Sequence, residues 1–249
     1  PRLSAFPPIL RFVMDAAKTP LVVQPGCNHT HTVIFLHGRG DTALNFLKSL
    51  AHSRDSHDRS LAELYPSFRW VFPWAPVTPA VGFNNQPTSQ WFDIWNVRDF
   101  SDKEEHQVEG LKESVQGILK LLAAEADALS GRWDRLVLMG ISQGAATAIH
   151  TMLHLHEQAP KLGAFVGFSC RMPFPGRTLG ETRKVLNPGA GNNENDELLK
   201  RTPILLEHCA DDPLVLVQNG RALRECLRGF GAQVNWVEYP NGGHWFNSP

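Results

Sequence analysis

No apolar run in this chain of 249 residues approaches the ~18 residues needed to span a membrane. Charge of one sign is also missing. Lys and Arg number 24 against 25 Asp and Glu, a formal net charge of −1, so no basic face is implied for nucleic acid or another polyanion. Cysteine is scarce: Cys27, Cys170, Cys209 and Cys226 form no C-x-x-C pair and no zinc spacing. Cys170 and Cys209 each close an apolar run, where free thiols are commonly buried. A reduced, cytoplasmic setting is therefore expected rather than a disulfide framework. A secretory signal is not evident either. The apolar stretch Phe6-Pro-Pro-Ile-Leu-Arg-Phe-Val-Met14 is short, broken by Arg11 and followed by no small-residue cleavage site. What remains is 42% hydrophobic and 20% charged, an ordinary globular composition.

The chain alternates strand and helix patterns. Apolar runs at residues 21–23, 31–36, 68–72, 136–139, 164–169, 204–208 and 234–239 read as strands. They lack clean in/out alternation, which fits a parallel sheet covered on both faces. Helices are expected at residues 42–53, 104–129, 143–156 and 215–230. In the second of these, Val108, Leu111, Val115, Ile118, Leu119 and Leu122 share a face at 3.6-residue spacing. The fold class is α/β, as one domain over residues 1–249. Two segments break the alternation. Residues 74–100 carry Trp74, Phe83, Trp91, Phe92, Trp95 and Phe100, too aromatic for disorder, and read as a substrate loop. Residues 173–200 are rich in Gly, Asn, Glu and Lys and read as a polar, mobile insert.

Between the strand ending at Met139 and the helical run Ala145-Ala-Thr-Ala-Ile149 stands Gly140-Ile141-Ser142-Gln143-Gly144. Strand, G-x-S-x-G, helix is the order of the nucleophile elbow of an α/β-hydrolase. Small residues permit the tight turn, and the serine is presented at a helix N-terminus, where N–H groups favour negative charge. A serine nucleophile needs a base and an orienting acid, which follow in the order Ser, Asp or Glu, His. Strand 204–208 runs into Cys209-Ala-Asp-Asp-Pro-Leu-Val215, and strand 234–239 runs into Pro240-Asn-Gly-Gly-His244. Both loops lie at carboxyl ends of strands, where ligands bind in open parallel sheets. His244 is the candidate base; Asp211 and Asp212 are equivalent by spacing, with Glu207 a poor third. His208 reads as a packed core residue. His150 and His154 share a helix face but have no acidic partner or H-E-x-x-H pattern to make a metal site.

An oxyanion hole takes one N–H from the residue after the nucleophile, Gln143, and one from a loop after an early strand. His37-Gly38-Arg39-Gly40-Asp41 is that loop, and the Arg39 N–H is the candidate second donor. Each such donor is worth about 3–4 kcal/mol of barrier. The chemistry needs no cofactor and no metal.

These pieces, spread from Phe35 to His244, resemble the acyl-protein thioesterases and their carboxylesterase relatives. Phe35-Leu-His-Gly-Arg-Gly-Asp41 is similar to the family's oxyanion loop, Ser89-Gln-Trp-Phe-Asp-Ile94 to its tryptophan segment beside the acyl site, and Ser169-Cys-Arg-Met-Pro173 to its Ser-Cys motif. His208-Cys-Ala-Asp-Asp-Pro-Leu-Val215 resembles its acid loop, in which the acid immediately precedes Pro, so the resemblance selects Asp212. It implies the triad Ser142, Asp212 and His244. Trp91, Phe92, Trp95 and Leu214 are candidate acyl contacts, with core packing the alternative for the three aromatics. The chain departs from the pattern at Arg39, where a hydrophobic residue is usual, at Leu216 in place of a second Pro, at Ala145, in the length of 173–200, and in stopping at Pro249 where the family continues into a helix. The departures resemble a fungal branch of polyketide thiohydrolases. On that reading Arg39 points outward to a phosphate of a phosphopantetheine arm.

The expected function is hydrolysis of thioesters or esters through an acyl-enzyme, with a small-molecule, protein-bound or carrier-bound acyl substrate as the partner. The alternatives are release of a polyketide chain from a carrier, a transferase or cyclase using the same triad, and a non-catalytic binding protein on the same scaffold.

Overall fold

The computed structural model describes residues 19–155, 159 and 161–247. The apolar stretch of residues 6–14 and the expected helix end at residue 156 lie outside them. The first half contains β1 (Leu21–Val23), β2 (His31–Leu36), α1 (Ala43–Ala51), α2 (Leu61–Leu64), β3 (Phe68–Phe72), β4 (Val77–Ala80), β5 (Gln86–Ser89) and α3 (Val108–Ala128). The second half adds β6 (Leu136–Ile141), α4 (Gln143–Leu153), β7 (Ala164–Phe168), α5 (Leu179–Leu186), α6 (Glu197–Arg201), β8 (Ile204–Cys209), α7 (Val217–Gly229) and β9 (Val234–Tyr239). Seven strands form one sheet in the order β1-β3-β2-β6-β7-β8-β9. Only β1 runs antiparallel to its neighbour. This is the mostly parallel α/β-hydrolase arrangement that the strand–helix alternation implied. No helix of the described residues is long and apolar enough to cross a membrane.

Side chains alternate across each strand and so build two cores. On one face Ile34, Leu36, Leu138, Phe165 and Leu206 pack with Leu111, Val115, Ile118 and Leu122 of α3, with α4, and with Leu223 and Leu227 of α7. On the other, Val33, Phe35, Phe72 and Ile141 meet Ala43, Phe46 and Leu50 of α1. The α3 stripe read from spacing is thus the buried one, with Val108 and Leu119 at its partly buried margin. Helix α4 is buried along its whole length. Its alanines, threonines and glycine let it lie close to the sheet beneath α3.

Two features were not legible as elements. Residues 74–100 contain the hairpin β4–β5, paired through Val77↔Ser89 and Pro79↔Pro87. The insert at residues 173–200 is also more ordered than its composition suggests. Thr178 and Glu181 form a reciprocal capping box that starts α5, and Asp196 caps α6. The Glu194 carboxylate accepts from Thr178 Oγ1 and from the N–H groups of Leu179 and Gly180. Arg183, 1% exposed, is paired with the buried Asp196 and also donates to the carbonyls of Leu153 and Asn193. Leu179, Leu186, Leu198 and Leu199 join the main core.

Removing one partner of such an ion pair strands the other charge in the interior. Asp196→Ala should cost about 3–5 kcal/mol in urea denaturation. Gly189→Ala, on the exposed part of the same insert, should stay within about 0.5 kcal/mol. Equal, small effects would show that the insert is not pinned.

Candidate active site

The elbow joins β6 to α4. Ser142 sits at φ 56°, ψ −124°, a conformation outside the ordinary regions for an L-residue. Two glycines permit it. A Cβ on Gly140 would lie 2.5 Å from Ala145 N, and one on Gly144 would lie 2.4 Å from His37 O. The Ser142 N–H donates to Phe168 O on β7 at 2.9 Å, which fixes the turn to the neighbouring strand. Gln143 opens α4, and its side chain has a role that the motif does not reveal. Oε1 accepts from Trp91 N at 2.9 Å and Nε2 donates to Phe92 O at 2.7 Å, so the amide staples the aromatic loop to the elbow.

The loop after β2 lies against the serine. A Cβ built on Gly38 would be 3.6 Å from Ser142 Cβ. His37 is fully buried, and burial lowers its pKa. Its Nε2 accepts from Ala75 N, so the proton is on Nδ1, which donates to Gly38 O at 2.8 Å. Its carbonyl accepts from Trp91 Nε1 at 2.8 Å. Gly40 N donates to Ser89 O of β5 at 2.7 Å. Among the described residues, neither the Arg39 N–H nor the Gln143 N–H donates to an acceptor, as an oxyanion hole requires. The Arg39 side chain does not project outward as expected. Nε donates to the buried Gln90 Oε1 at 2.8 Å, the guanidinium lies 5.1 Å from the Phe83 ring, and burial lowers its pKa against the effect of Asp93. It ties the oxyanion loop to the β4–β5 hairpin.

Asp212 and His244 meet: His244 Nδ1 donates to Asp212 Oδ2 at 2.8 Å. Asp212 is 3% exposed, and its Oδ1 accepts from Leu214 N and Val215 N. Burial alone would raise its pKa. The hydrogen bonds from His208, His244, Val215 and Leu214 outweigh that and hold the carboxyl well below its ordinary value. His208 is buried as expected, but it also lies beneath the acid. Its Nε2 donates to Val215 O at 2.7 Å and stands 3.4 Å from Asp212 Oδ2. Asp211 takes a different part, accepting from the N–H groups of Gly242 and Gly243 and so clamping the loop that carries His244. On the far side Trp245 and Phe246 anchor that loop. Phe246 stacks edge-on against Phe168 at 4.6 Å, and Trp245 packs on Phe46 of α1. Phe168 is the residue whose carbonyl holds the Ser142 N–H, so the histidine loop and the serine are fixed to one strand end.

The expected acyl contacts divide. Trp91 and Phe92, 2% and 1% exposed, are packed in the main core, where Ser114 Oγ donates to Trp91 O. Their rings support the elbow instead of lining an open groove. Trp95 is half-buried between Lys103, 3.4 Å from its ring centre, and His106. Leu214 is exposed, at 62%, and lines a cavity of about 510 Å³ with Phe100, Met172, Pro213 and Leu216. A smaller cavity of about 360 Å³ between the starts of β8 and β9 lies at the opposite ends of these strands from Asp212 and His244. His150 is fully buried, its pKa pushed down to about 3 by burial, and its Nε2 faces Pro173 O. No cluster of His, Cys, Asp or Glu able to hold a metal occurs among the described residues.

With this geometry in place, comparison with known proteins is decisive on ancestry. Residues 17–248 match the Phospholipase/Carboxylesterase family. The chain belongs to that family. It is 30% identical to acyl-protein thioesterase 1 of Gibberella zeae over 228 residues, covering 90% of this chain and 88% of the relative. It is 28% identical to acyl-protein thioesterase 1 of Neurospora crassa, covering 92% and 86%. Among solved structures, acyl-protein thioesterase 2 of Zea mays superposes with a TM-score of 0.71 at 25% identity, covering 93% of each chain. Membership makes the chain a serine hydrolase of ester or thioester bonds. The narrower expectation of a polyketide thiohydrolase gains no support from these relatives.

The two adjacent aspartates can be separated experimentally. Asp212→Asn should lower turnover of a p-nitrophenyl ester about 10⁴-fold by leaving the histidine in the wrong tautomer. Asp211→Asn should cost about tenfold, since it loosens a loop held elsewhere by aromatic packing. The reverse order would reassign the acid.

Proposed function

We propose that Ser142, His244 and Asp212 form a catalytic triad that hydrolyses acyl thioesters, and esters more generally, through an acyl-Ser142 intermediate. The observation that carries this reading is the Asp212–His244 hydrogen bond, on a loop anchored through Phe246 to Phe168, whose carbonyl also holds the N–H of a serine kept at a positive φ. His244 takes the Ser142 proton as Oγ attacks the acyl carbonyl, then gives it to the leaving thiol or alcohol. The ionised Asp212 keeps the His244 proton on Nδ1 and offsets the imidazolium charge. The N–H groups of Arg39 and Gln143 receive the oxyanion, with the serine at the start of α4 adding its helix dipole. Water, activated by the same histidine, then cleaves the acyl-enzyme.

Three features of the relatives guide the substrate assignment: they are named as acyl-protein thioesterases, the similarity spans nearly the whole chain, and the fold is shared. A protein-bound acyl thioester is accordingly the first substrate class to examine. The exposed Leu214 and Leu216 beside the cavity offer an apolar path for the chain, whereas Trp91 and Phe92 stiffen the elbow. All four cysteines are free, which supports a reducing, cytoplasmic setting.

Ser142→Ala and His244→Ala should each lower kcat on the order of 10⁶-fold, as in other serine hydrolases. A fluorophosphonate probe should label the parent protein and not Ser142→Ala. A panel of palmitoyl-peptide thioester, acyl-CoA and short p-nitrophenyl esters then ranks leaving groups. Near-full turnover by either variant would overturn the triad, and a protein that neither turns over nor labels would be a binding protein on this scaffold.

A further inference from the structure

Arg171 leaves the end of β7 and is 6% exposed. Burial lowers its pKa to about 10, which leaves it protonated at neutral pH. Nη2 donates to Gln107 Oε1 at 2.7 Å, and the guanidinium lies 4.0 Å from the Phe100 ring centre and 5.9 Å from that of Phe92. Among the described residues no carboxylate comes within 4.0 Å of it. Glu104, the carboxylate whose charge acts on it, is bound to Arg177 at 3.0 Å.

This uncompensated cation lines the 510 Å³ cavity, whose walls include Phe100, Met172, Pro213, Leu214 and Leu216. Arg98 adds a second positive charge at the same cavity. Asp99, the one acid there, already accepts from the N–H and Oγ of Ser101 through Oδ1. Two wall residues of the cavity connect it to the candidate site, Leu214 directly and Arg171 through Phe92. Leu214 is bonded to Asp212, and Phe92, under the Arg171 guanidinium, is bonded to Gln143. A buried guanidinium carries a desolvation cost that an amide oxygen and two ring faces only partly offset. An anionic oxygen group entering from the cavity would form a charge-assisted pair screened from water.

We propose that this cavity is a subsite for an anionic oxygen group, carboxylate or phosphate, carried by the substrate, and that Arg171 binds it. This rests on the reading of Ser142 as nucleophile, and it adds a substrate class to that reading. The anion belongs either to the far end of the acyl chain or to the leaving group. Two comparisons separate them: p-nitrophenyl hydrogen hexanedioate against p-nitrophenyl hexanoate, and hexanoyl-CoA against hexanoyl-N-acetylcysteamine. In one of these pairs the anionic substrate should have the larger kcat/KM, and Arg171→Met should reduce that preference roughly 10- to 100-fold, the worth of one hydrogen bond to a charged group. Asn219→Asp, at the cavity wall, adds a repelling charge without emptying the interior. It should reduce the same preference several-fold, and it keeps the test open if Arg171→Met fails to fold. A preference unchanged within twofold in both pairs, for either folded variant, would overturn the subsite. If no ester or thioester is turned over at all, the catalytic reading falls separately. Calorimetric binding of monomethyl hexanedioate and of CoA to Ser142→Ala then tests the subsite alone. It stands if one of them binds at least tenfold more weakly when Arg171→Met is added, and it is overturned if neither does.

Discussion

Everything at the candidate site depends on one steric interlock. Strand β6, helix α4 and the end of β2 approach so closely at Gly140 and Gly144 that no side chain fits at either position. That approach holds Ser142 at φ 56°, ψ −124°. A residue in such a region costs on the order of 1–3 kcal/mol and persists only when its surroundings over-determine it. Here they do. The Ser142 N–H is fixed to Phe168, the Gln143 amide grips Trp91 and Phe92, and Trp91 in turn grips the His37 carbonyl. The oxyanion loop and the serine are therefore parts of one packed unit, which is what preorganised stabilisation of a developing charge demands.

The candidate acid and base are held on different terms. Asp212 is a buried carboxylate, and its solvation has been replaced by two backbone N–H groups, His244 and the nearby His208. Those contacts keep it ionised against its burial. His244 sits on a loop whose ends are secured by unlike forces: backbone bonds to Asp211 before it and aromatic stacking of Trp245 and Phe246 after it. The adjacent aspartates are thus not redundant. One orients the ring and the other positions the backbone that bears it.

The sequence made the sheet legible because buried parallel strands are short continuous apolar runs, and six of the seven expected strand starts and ends agree closely with β1–β3 and β7–β9. The G-x-S-x-G turn and the two loops supplying acid and histidine were legible for a related reason: their chemistry restricts residue type at fixed places in the fold. What escaped reading depended on partners distant in sequence. Strands β4 and β5 contain Pro79 and Pro87, each lacking an N–H donor, and their composition argues against a strand. The polar composition of residues 173–200 masked the two helices, whose starts depend on the capping box of Thr178 and Glu181 and on the Asp196 cap. Trp91 and Phe92 were conspicuous as aromatics, but which way a ring faces is settled by Gln143 and Ser114, more than twenty residues away in the chain. The Arg39 side chain was read as outward-facing for the same lack of information: Gln90, its partner, lies fifty-one positions on.

Among the described residues the two most buried arginines show how context divides structure from function. Arg183 and Arg171 are both shielded from solvent, and desolvation penalises both charges. Arg183 meets that penalty with a carboxylate and backbone carbonyls, all supplied by the insert and α4, and it serves to join them. Arg171 has a single amide oxygen and aromatic faces, and its remaining surroundings open into a cavity next to the acid loop. An anionic oxygen group in that cavity would supply the pairing that the fold does not. The asymmetry between the two arginines, more than the apolar walls around Leu214, marks the cavity as a place for recognition.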